Sequence, residues 1–171
     1  MSDHGIDYED LTTMKLDATE VETLVAPGGE CVFSWTTADG FPVGVIVAYV
    51  YRDGTFWTTC AERRKRVSAL RKRPQSAIVV NRGGKTASFK GMSVVHGPGD
   101  ADWEQVKTWF YAALSGTDRN PDDVNKRNFQ KFLDSPHRVI IESEGNLVVG
   151  FDTAKFAKFT AEAIAAGLGV D

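Results

Sequence analysis

One stretch of this sequence decides its fold: Phe56-Trp57-Thr58-Thr59-Cys60-Ala61-Glu62-Arg63-Arg64-Lys65-Arg66, with Leu70 and Pro74 after it. It predicts a short aromatic strand that ends in two hydroxyl side chains, and then a helix that opens with a cluster of cations. Hydroxyl groups, guanidinium groups and the N–H groups of a helix N-terminus are all donors that bind phosphate. The alternative is a solvated basic helix, because seven of the eleven residues from Arg63 to Arg73 are cationic and charge runs usually face water.

Length and composition predict one globular domain over residues 1–171. The chain is 42% hydrophobic and 25% charged, which are ordinary values for a folded protein that buries a core. The net charge is −3, and basic residues are concentrated locally, so nucleic acid is not an expected partner. Cys31 and Cys60 have no CxxC spacing, which favours buried thiols over a disulfide framework or a zinc site.

The sequence also predicts a cytoplasmic protein without a membrane partner. No apolar run reaches the length of a membrane span. The N-terminal residues Met1–Asp10 are acidic and lack the charged and apolar regions of a signal peptide. Residues 1–15 are expected to form a loose arm.

The order of the predicted elements favours an antiparallel barrel over a parallel sheet. Asp-Gly turns at Asp39-Gly40 and Asp53-Gly54 join three strands into a meander. The chain has no regular βαβ alternation, and it has neither a GxGxxG nor a GxxxxGK[ST] loop, which argues against a dinucleotide-binding or P-loop fold.

The periodicity of apolar residues, together with helix-capping and helix-breaking residues, predicts the helices and strands. A capping box at Asp17–Glu20 begins a helix that ends at Ala26, and Asn120-Pro121 is a predicted helix start. Glu144-Gly145 is predicted to be the turn of a late hairpin. The predicted strands are 30–37, 41–52, 55–59, 77–81, 87–95, 138–143 and 146–151. The other predicted helices are 63–72, 102–114 and a C-terminal segment 153–171, helical to Gly167.

With these strands in place, the chain resembles the pyridoxamine 5'-phosphate oxidase-like split β-barrels, a superfamily of flavin and deazaflavin oxidoreductases. The family has a turn of the Asp-Gly-Xaa-Pro kind, a second Asp-Gly turn and an aromatic strand end with threonines. A basic residue then lies four positions before an apolar residue and eight before a proline. The matching pieces are Ala38-Asp39-Gly40-Phe41-Pro42, Arg52-Asp53-Gly54, Phe56–Thr59, Arg66, Leu70, Pro74, Phe89-Lys90-Gly91, Val94–Gly97, Phe151-Asp152 and Lys155.

The resemblance implies a six- or seven-stranded antiparallel split β-barrel with flanking helices. It also implies a homodimer with a cofactor groove between its subunits. Arg66 takes the place of the family's phosphate-binding lysine, and Lys65 that of the basic residue before it. Gly44 fits a close approach of the ligand or a β-bulge. The residues that the resemblance assigns to cofactor binding are Val43, Gly44, Val45, Ile46, Trp57, Thr58, Thr59, Arg64, Lys65 and Arg66.

The implied function is hydride transfer between a bound cofactor and a small organic substrate. FMN is the first choice of cofactor, and the deazaflavin coenzyme F420 is the alternative, because its polyglutamate tail suits a long basic groove. A non-enzymatic cofactor-, tetrapyrrole- or lipid-binding protein stays open. The C-terminal arginine motif of the true oxidase is missing, which argues against pyridoxamine-phosphate oxidation. No catalytic residue is selected: His96 and His137 are expected to be structural, and no metal site is expected.

Overall fold

The computed structural model describes residues 10–167, in which six strands form a closed antiparallel barrel. The order around the barrel is β1-β2-β3-β6-β5-β4, and β4 pairs with β1 to close it. The predicted fold class, an antiparallel β-barrel with flanking helices, is therefore confirmed. The strands are β1 Gly29–Thr36, β2 Pro42–Arg52, β3 Thr55–Ala61, β4 Gln75–Arg82, β5 Lys85–His96 and β6 Arg138–Asp152. The helices are α1 Ala18–Val25, α2 Lys65–Lys72, α3 Trp103–Ser115, α4 Val124–Leu133 and α5 Thr153–Ala165, and a 3₁₀ turn covers Leu11–Met14.

Alternating residues of the strands fill the barrel. Phe33, Phe56 and Val80 are completely buried, and Phe56 contacts Phe89 with ring centroids 4.9 Å apart. The basic helix α2 joins this core through Val67 and Leu70, each 1% exposed. A second apolar cluster, which includes Trp103, Val106, Phe110, Tyr111, Leu133 and Ile140, packs α3 and α4 against the outside of the barrel. The core thus fixes α2 at the barrel by its apolar face and leaves its cations outside.

The predicted late hairpin across Glu144-Gly145 is wrong. Arg138–Asp152 is one continuous strand, and it pairs with β5 along its length. Gly145 lies opposite Gly91 in this ladder. A Cβ atom at Gly91 would overlap the backbone carbonyl of Glu144. The two glycines therefore allow a close approach of two backbones, a role that a sequence pattern does not distinguish from a turn.

Four other predicted boundaries are corrected. The loose arm is wrong for its described part, because Met14 is fully buried; residues 1–9 lie outside the described range. Helix α4 begins at Val124 and not at Asn120-Pro121, because the Asp123 carboxylate accepts from the N–H groups of Asn125 and Lys126. Helix α2 begins two residues later than predicted, after a turn closed by the N–H of Arg64 on the Ala61 carbonyl (3.0 Å). The predicted C-terminal helix ends at Ala165, and residues 168–171 lie outside the described range.

Glu20 joins three elements at one end of the barrel. The predicted capping box is present, since Asp17 accepts from the Glu20 N–H and Glu20 accepts from the Asp17 N–H. The Glu20 carboxylate also lies 3.0 Å from Nζ of Lys85 on β5 and 2.7 Å from Nζ of Lys155 on α5. These contacts lower the pKa of Glu20 to about 2, with Lys155 as the largest cause. Lys155, one piece of the family resemblance, therefore has a structural partner.

This network predicts a pH-dependent stability. Because the pKa of Glu20 is lowered from 4.5 to about 2 on folding, its contribution is complete above pH 4.5 and disappears as the pH falls towards 2. We expect Glu20→Gln to lower the melting temperature at pH 6 and to approach the wild type below that window. Glu162→Gln, which alters an exposed carboxylate 3.9 Å from Lys158, is the control. Thermal melts across the acid range check this, and a constant difference between wild type and Glu20→Gln would contradict it.

Candidate functional site

The barrel is split between β2 and β3. These strands pair only where Val50, Tyr51 and Arg52 face residues 55–57. Beyond that point β2 pairs with β1, and β3 pairs with β6, each along its other edge. Strands β2 and β3 therefore present facing edges with unpaired N–H and C=O groups, which are available to a ligand.

A groove with a volume of 680 Å³ lies at this split. One wall is the β2 segment Val45–Val47, and the other is the end of β3, Thr59–Ala61. The consecutive cations Arg63–Arg66 line the groove as the chain enters α2, and Arg138 at the start of β6 also lines it. Five cationic side chains thus surround one groove, and none of its lining residues is acidic. The arrangement suits an anionic ligand with a polar part that can form hydrogen bonds to a strand edge.

The start of α2 adds backbone donors to these charges. Arg64 is the N-cap residue, but no side chain caps the helix. The N–H of Val67 donates to the carbonyl of Arg64 (2.9 Å), which leaves the N–H groups of Lys65 and Arg66 available to an anion. The cations of α2 therefore lie in a groove and not on an open helix surface, and the phosphate site stays a prediction.

Thr59 and Arg138 form a small network in the groove. The Thr59 hydroxyl donates to the carbonyl of Val139 (2.8 Å) and accepts from Nη1 of Arg138 (3.4 Å). The Arg138 guanidinium also lies 5.4 Å from the ring centroid of Phe132. This arginine was not selected from the sequence, and the signal that finds it is the register of β3 with β6, in which Ala61 faces Arg138.

The structure brings six of the ten predicted cofactor-binding residues into the groove: Val45, Ile46, Thr59, Arg64, Lys65 and Arg66. It places Thr58 on the interior face of β3, where only 2% of it is exposed. Trp57 packs against Trp109 of α3, with ring centroids 5.0 Å apart. Neither residue lines the groove. Alternation along β3 separates Thr58 from Thr59. Trp57 is on the same face as Thr59, but it lies where β3 pairs with β2 and is covered by α3.

Val43 and Gly44 also lie outside the groove lining. The register of β1 and β2 is unbroken, with Gly44 opposite Ser34, so no bulge occurs there. A Cβ atom at Gly44 would lie 3.0 Å from Cγ1 of Val32 and 3.1 Å from Oγ of Ser34. The glycine therefore accommodates side chains of β1.

Cys60 lines the groove but is 4% exposed. Burial raises the pKa of the Cys60 thiol, and the neighbouring Arg66 opposes this shift. Burial also raises the pKa of Cys31 to about 12. Both cysteines are free and buried, as predicted, and both are neutral thiols at pH 7.

Neither of the two described histidines lines the groove. His96 is 9% exposed, with Nε2 2.7 Å from Glu142 and Nδ1 3.3 Å from Asp102. It therefore connects the end of β5 to the start of α3. His137 precedes β6 with a left-handed backbone (φ 62°). Within residues 10–167, no group of three or more histidine, cysteine or acidic residues is placed to hold a metal ion, and no helix there is long and apolar enough to cross a membrane.

Comparison with solved structures identifies the fold. A conserved hypothetical protein, Rv2991 from Mycobacterium tuberculosis, superposes with a TM-score of 0.66 at 15% identity, over 85% of this chain and 91% of its own. An FMN-binding protein from Nostoc punctiforme, related to pyridoxamine 5'-phosphate oxidase, gives 0.52 at 10% identity over 72% and 74%. An F420 reductase gives 0.52 at 16% identity over 73% and 92%. No family model and no curated protein matches the sequence.

The chain therefore has the fold of the pyridoxamine 5'-phosphate oxidase-like split barrels, as the sequence resemblance implied. At identities of 10–16% this likeness establishes the fold, and the chemistry has to be argued from the groove.

Proposed function

We propose that the protein is a flavin- or deazaflavin-dependent oxidoreductase that transfers hydride between FMN, or coenzyme F420, and a small organic substrate. The observation that carries the proposal is the junction of an unpaired strand edge with a cationic cluster in one 680 Å³ groove. Both cofactors combine a planar polar ring system with an anionic arm. Proteins with this fold include an FMN-binding protein and an F420 reductase, which supports the same class of ligand.

In this proposal each wall of the groove has a separate task. The unpaired backbone of Val45–Val47 binds the polar edge of the ring system. Lys65 and Arg66, with Arg138 from β6, hold the phosphate by charge-assisted hydrogen bonds. The Thr59 hydroxyl donates to Val139 and accepts from Arg138, and in this way it orients Arg138. The cofactor supplies the redox chemistry when bound, and the chain positions it and shields it from water.

The cations beyond the groove bear on the choice of cofactor. A second cavity of 250 Å³ shares Trp35 and Lys65 with the groove, and Lys72 and Arg73 also line it. Arg71 does not line it and pairs instead with Glu62 at 3.0 Å. The positive surface therefore continues along α2, which suits the polyglutamate tail of F420. FMN remains the first choice because one phosphate needs only the Lys65–Arg66 end.

Titration of the purified protein with each cofactor tests this proposal. We expect FMN to bind with micromolar affinity and a weak dependence on salt, because one cradled phosphate is its main ionic contact. If F420 binds, its affinity should fall more steeply with salt, because several exposed ion pairs are screened together. Absorption and fluorescence spectra at low and high salt give both affinities. Binding of neither cofactor, or a Soret band after haem addition without flavin binding, would contradict the oxidoreductase proposal.

The proposed function includes a homodimer with the groove at its interface. A row of residues that face outward crosses five strands of the barrel. Its members are Ile46, Val32, Val79, Ser88 and Val149. Ile46, Val32 and Val149 are 71%, 38% and 51% exposed, and Ile46 also lines the groove. An exposed apolar strand face of this kind favours a protein partner, and a second copy placed there would complete the groove.

We expect light scattering to show that the wild-type protein is a dimer. Val32→Glu should shift the equilibrium towards the monomer, because it would bury a charge at the interface. Val124→Glu is the matched control, since Val124 is 58% exposed on α4, away from this row. A wild-type protein that is monomeric at micromolar concentration would contradict the shared groove.

A further inference from the structure

A separate cavity of 300 Å³ lies between α3 and α4. Its lining includes the cations Lys107, Arg127 and Lys131 and one carboxylate, Asp134. Lys107 is already neutralised, since its Nζ lies 3.2 Å from Asp134 and 3.1 Å from Glu104. Arg127 and Lys131 lie one turn apart on α4, and neither pairs with a carboxylate within residues 10–167. The cavity therefore has an excess of positive charge.

One residue of the same cavity has a buried hydroxyl without a partner. Tyr111 lines it and is 2% exposed. Within the described part of the chain, the Tyr111 hydroxyl has no hydrogen-bond partner. Burial raises the pKa of Tyr111, although Thr59 and Arg138 oppose the shift, so the group is a neutral donor at pH 7. A buried polar atom without a partner is uncommon in folded proteins and indicates a missing ligand or water.

Gln130 gives this cavity a further donor. Its Oε1 accepts from the Thr117 hydroxyl (2.5 Å), which orients the amide and leaves its N–H groups for another acceptor. The cavity thus combines a phenol, an amide and two uncompensated cations. All of these groups donate hydrogen bonds, and so they match an acceptor that carries negative charge.

We propose that the cleft between α3 and α4 is a second binding site, for a small oxyanion: the phosphate or carboxylate group of a small molecule. Tyr111 and Gln130 would donate to its oxygens, and Arg127 and Lys131 would supply the charge. The volume of 300 Å³ is at the small end of small-molecule sites, which limits the ligand to a compact molecule.

NMR spectroscopy of the cofactor-free protein tests the site directly. The ring signals of Tyr111, assigned by their loss in Tyr111→Phe, and the side-chain amide of Gln130 are followed while phosphate or acetate is added at constant ionic strength. We expect saturable shifts at both residues. Stronger phosphate binding would indicate a phosphate monoester, and stronger acetate binding a carboxylate. The Gln130 signal reports the cleft even if an anion also binds the groove at the split, whereas Tyr111 is also close to Thr59 and Arg138 of that groove. An anion in the cleft therefore has to shift both signals, and neither signal needs a flavin.

Variants separate the site from a general charge effect. Tyr111→Phe keeps the packing and removes one donor, so it should weaken anion binding about tenfold, and Arg127→Gln with Lys131→Gln should weaken it at least about tenfold. Lys158→Gln removes an exposed charge from α5 and should leave binding unchanged. Shifts that grow linearly without saturation, or that appear only at groove residues, would overturn the proposal. Unchanged affinity in both cleft variants would do the same.

Discussion

Gly91→Ala is expected to lower the free energy of unfolding by more than about 3 kcal/mol, a large share of the roughly 5–15 kcal/mol that stabilises an ordinary domain. A Cβ atom at this position would overlap the backbone carbonyl oxygen of Glu144 and lie 2.9 Å from Cα of Gly145. Both obstacles are backbone atoms of β6, so a change of rotamer cannot relieve the clash. Strands β5 and β6 would have to separate where their ladder is continuous.

Gly97→Ala is the matched control for this experiment. Gly97 is buried and follows directly after β5, and it does not have a positive φ angle. A Cβ atom there would lie 3.5 Å from Cγ1 of Val139, which is an ordinary van der Waals contact. Denaturant unfolding should therefore show a large loss for Gly91→Ala and a small change for Gly97→Ala. Equal losses of unfolding free energy in the two variants would mean that the close approach of Gly91 to Gly145 is not needed for the stability of the barrel.

The same glycines show where sequence reasoning reaches its limit. Asp53-Gly54 was predicted to be a turn, and both residues have positive φ (53° and 81°). Glu144-Gly145 has a similar pattern but lies within a strand. The difference is set by Gly91, more than fifty positions away, which faces Gly145 in the ladder. Local preference predicts a turn only where no distant strand requires the same glycine.

The sequence also predicts only part of the candidate site, namely the part that one short stretch of chain forms. The cations at the start of α2 and the threonine before them are close together in the sequence, so one stretch of chain reveals Thr59, Lys65 and Arg66. Arg138 comes from the first residue of β6, and only the pairing of β3 with β6 brings it to the groove. Thr58 was predicted to contact the cofactor, but it lies on the interior face of β3. The sequence predicts where this strand lies but does not predict which of its residues point into the barrel.

Arg66→Ala, and separately Lys65→Ala, should weaken cofactor binding by about tenfold to a hundredfold, the equivalent of losing one charge-assisted contact of roughly 1.5–3 kcal/mol. Both side chains line the groove, whereas the apolar face of α2 that supports the barrel is formed by Val67 and Leu70. The melting temperature of the cofactor-free variants should therefore stay close to that of the wild type. Fluorescence titration with FMN gives the affinities.

Arg71→Ala distinguishes a specific phosphate contact from the total charge of α2. Arg71 is on the same helix, but its guanidinium pairs with Glu62 and does not line the groove. The Arg71→Ala substitution removes the same charge as Arg66→Ala. A similar loss of FMN affinity in both variants would show that α2 acts only through its total electrostatic field. A loss confined to Lys65 and Arg66 would mean that position decides binding. Because an overall field is screened within about 8–10 Å at physiological salt, the difference between these variants should persist as salt is raised.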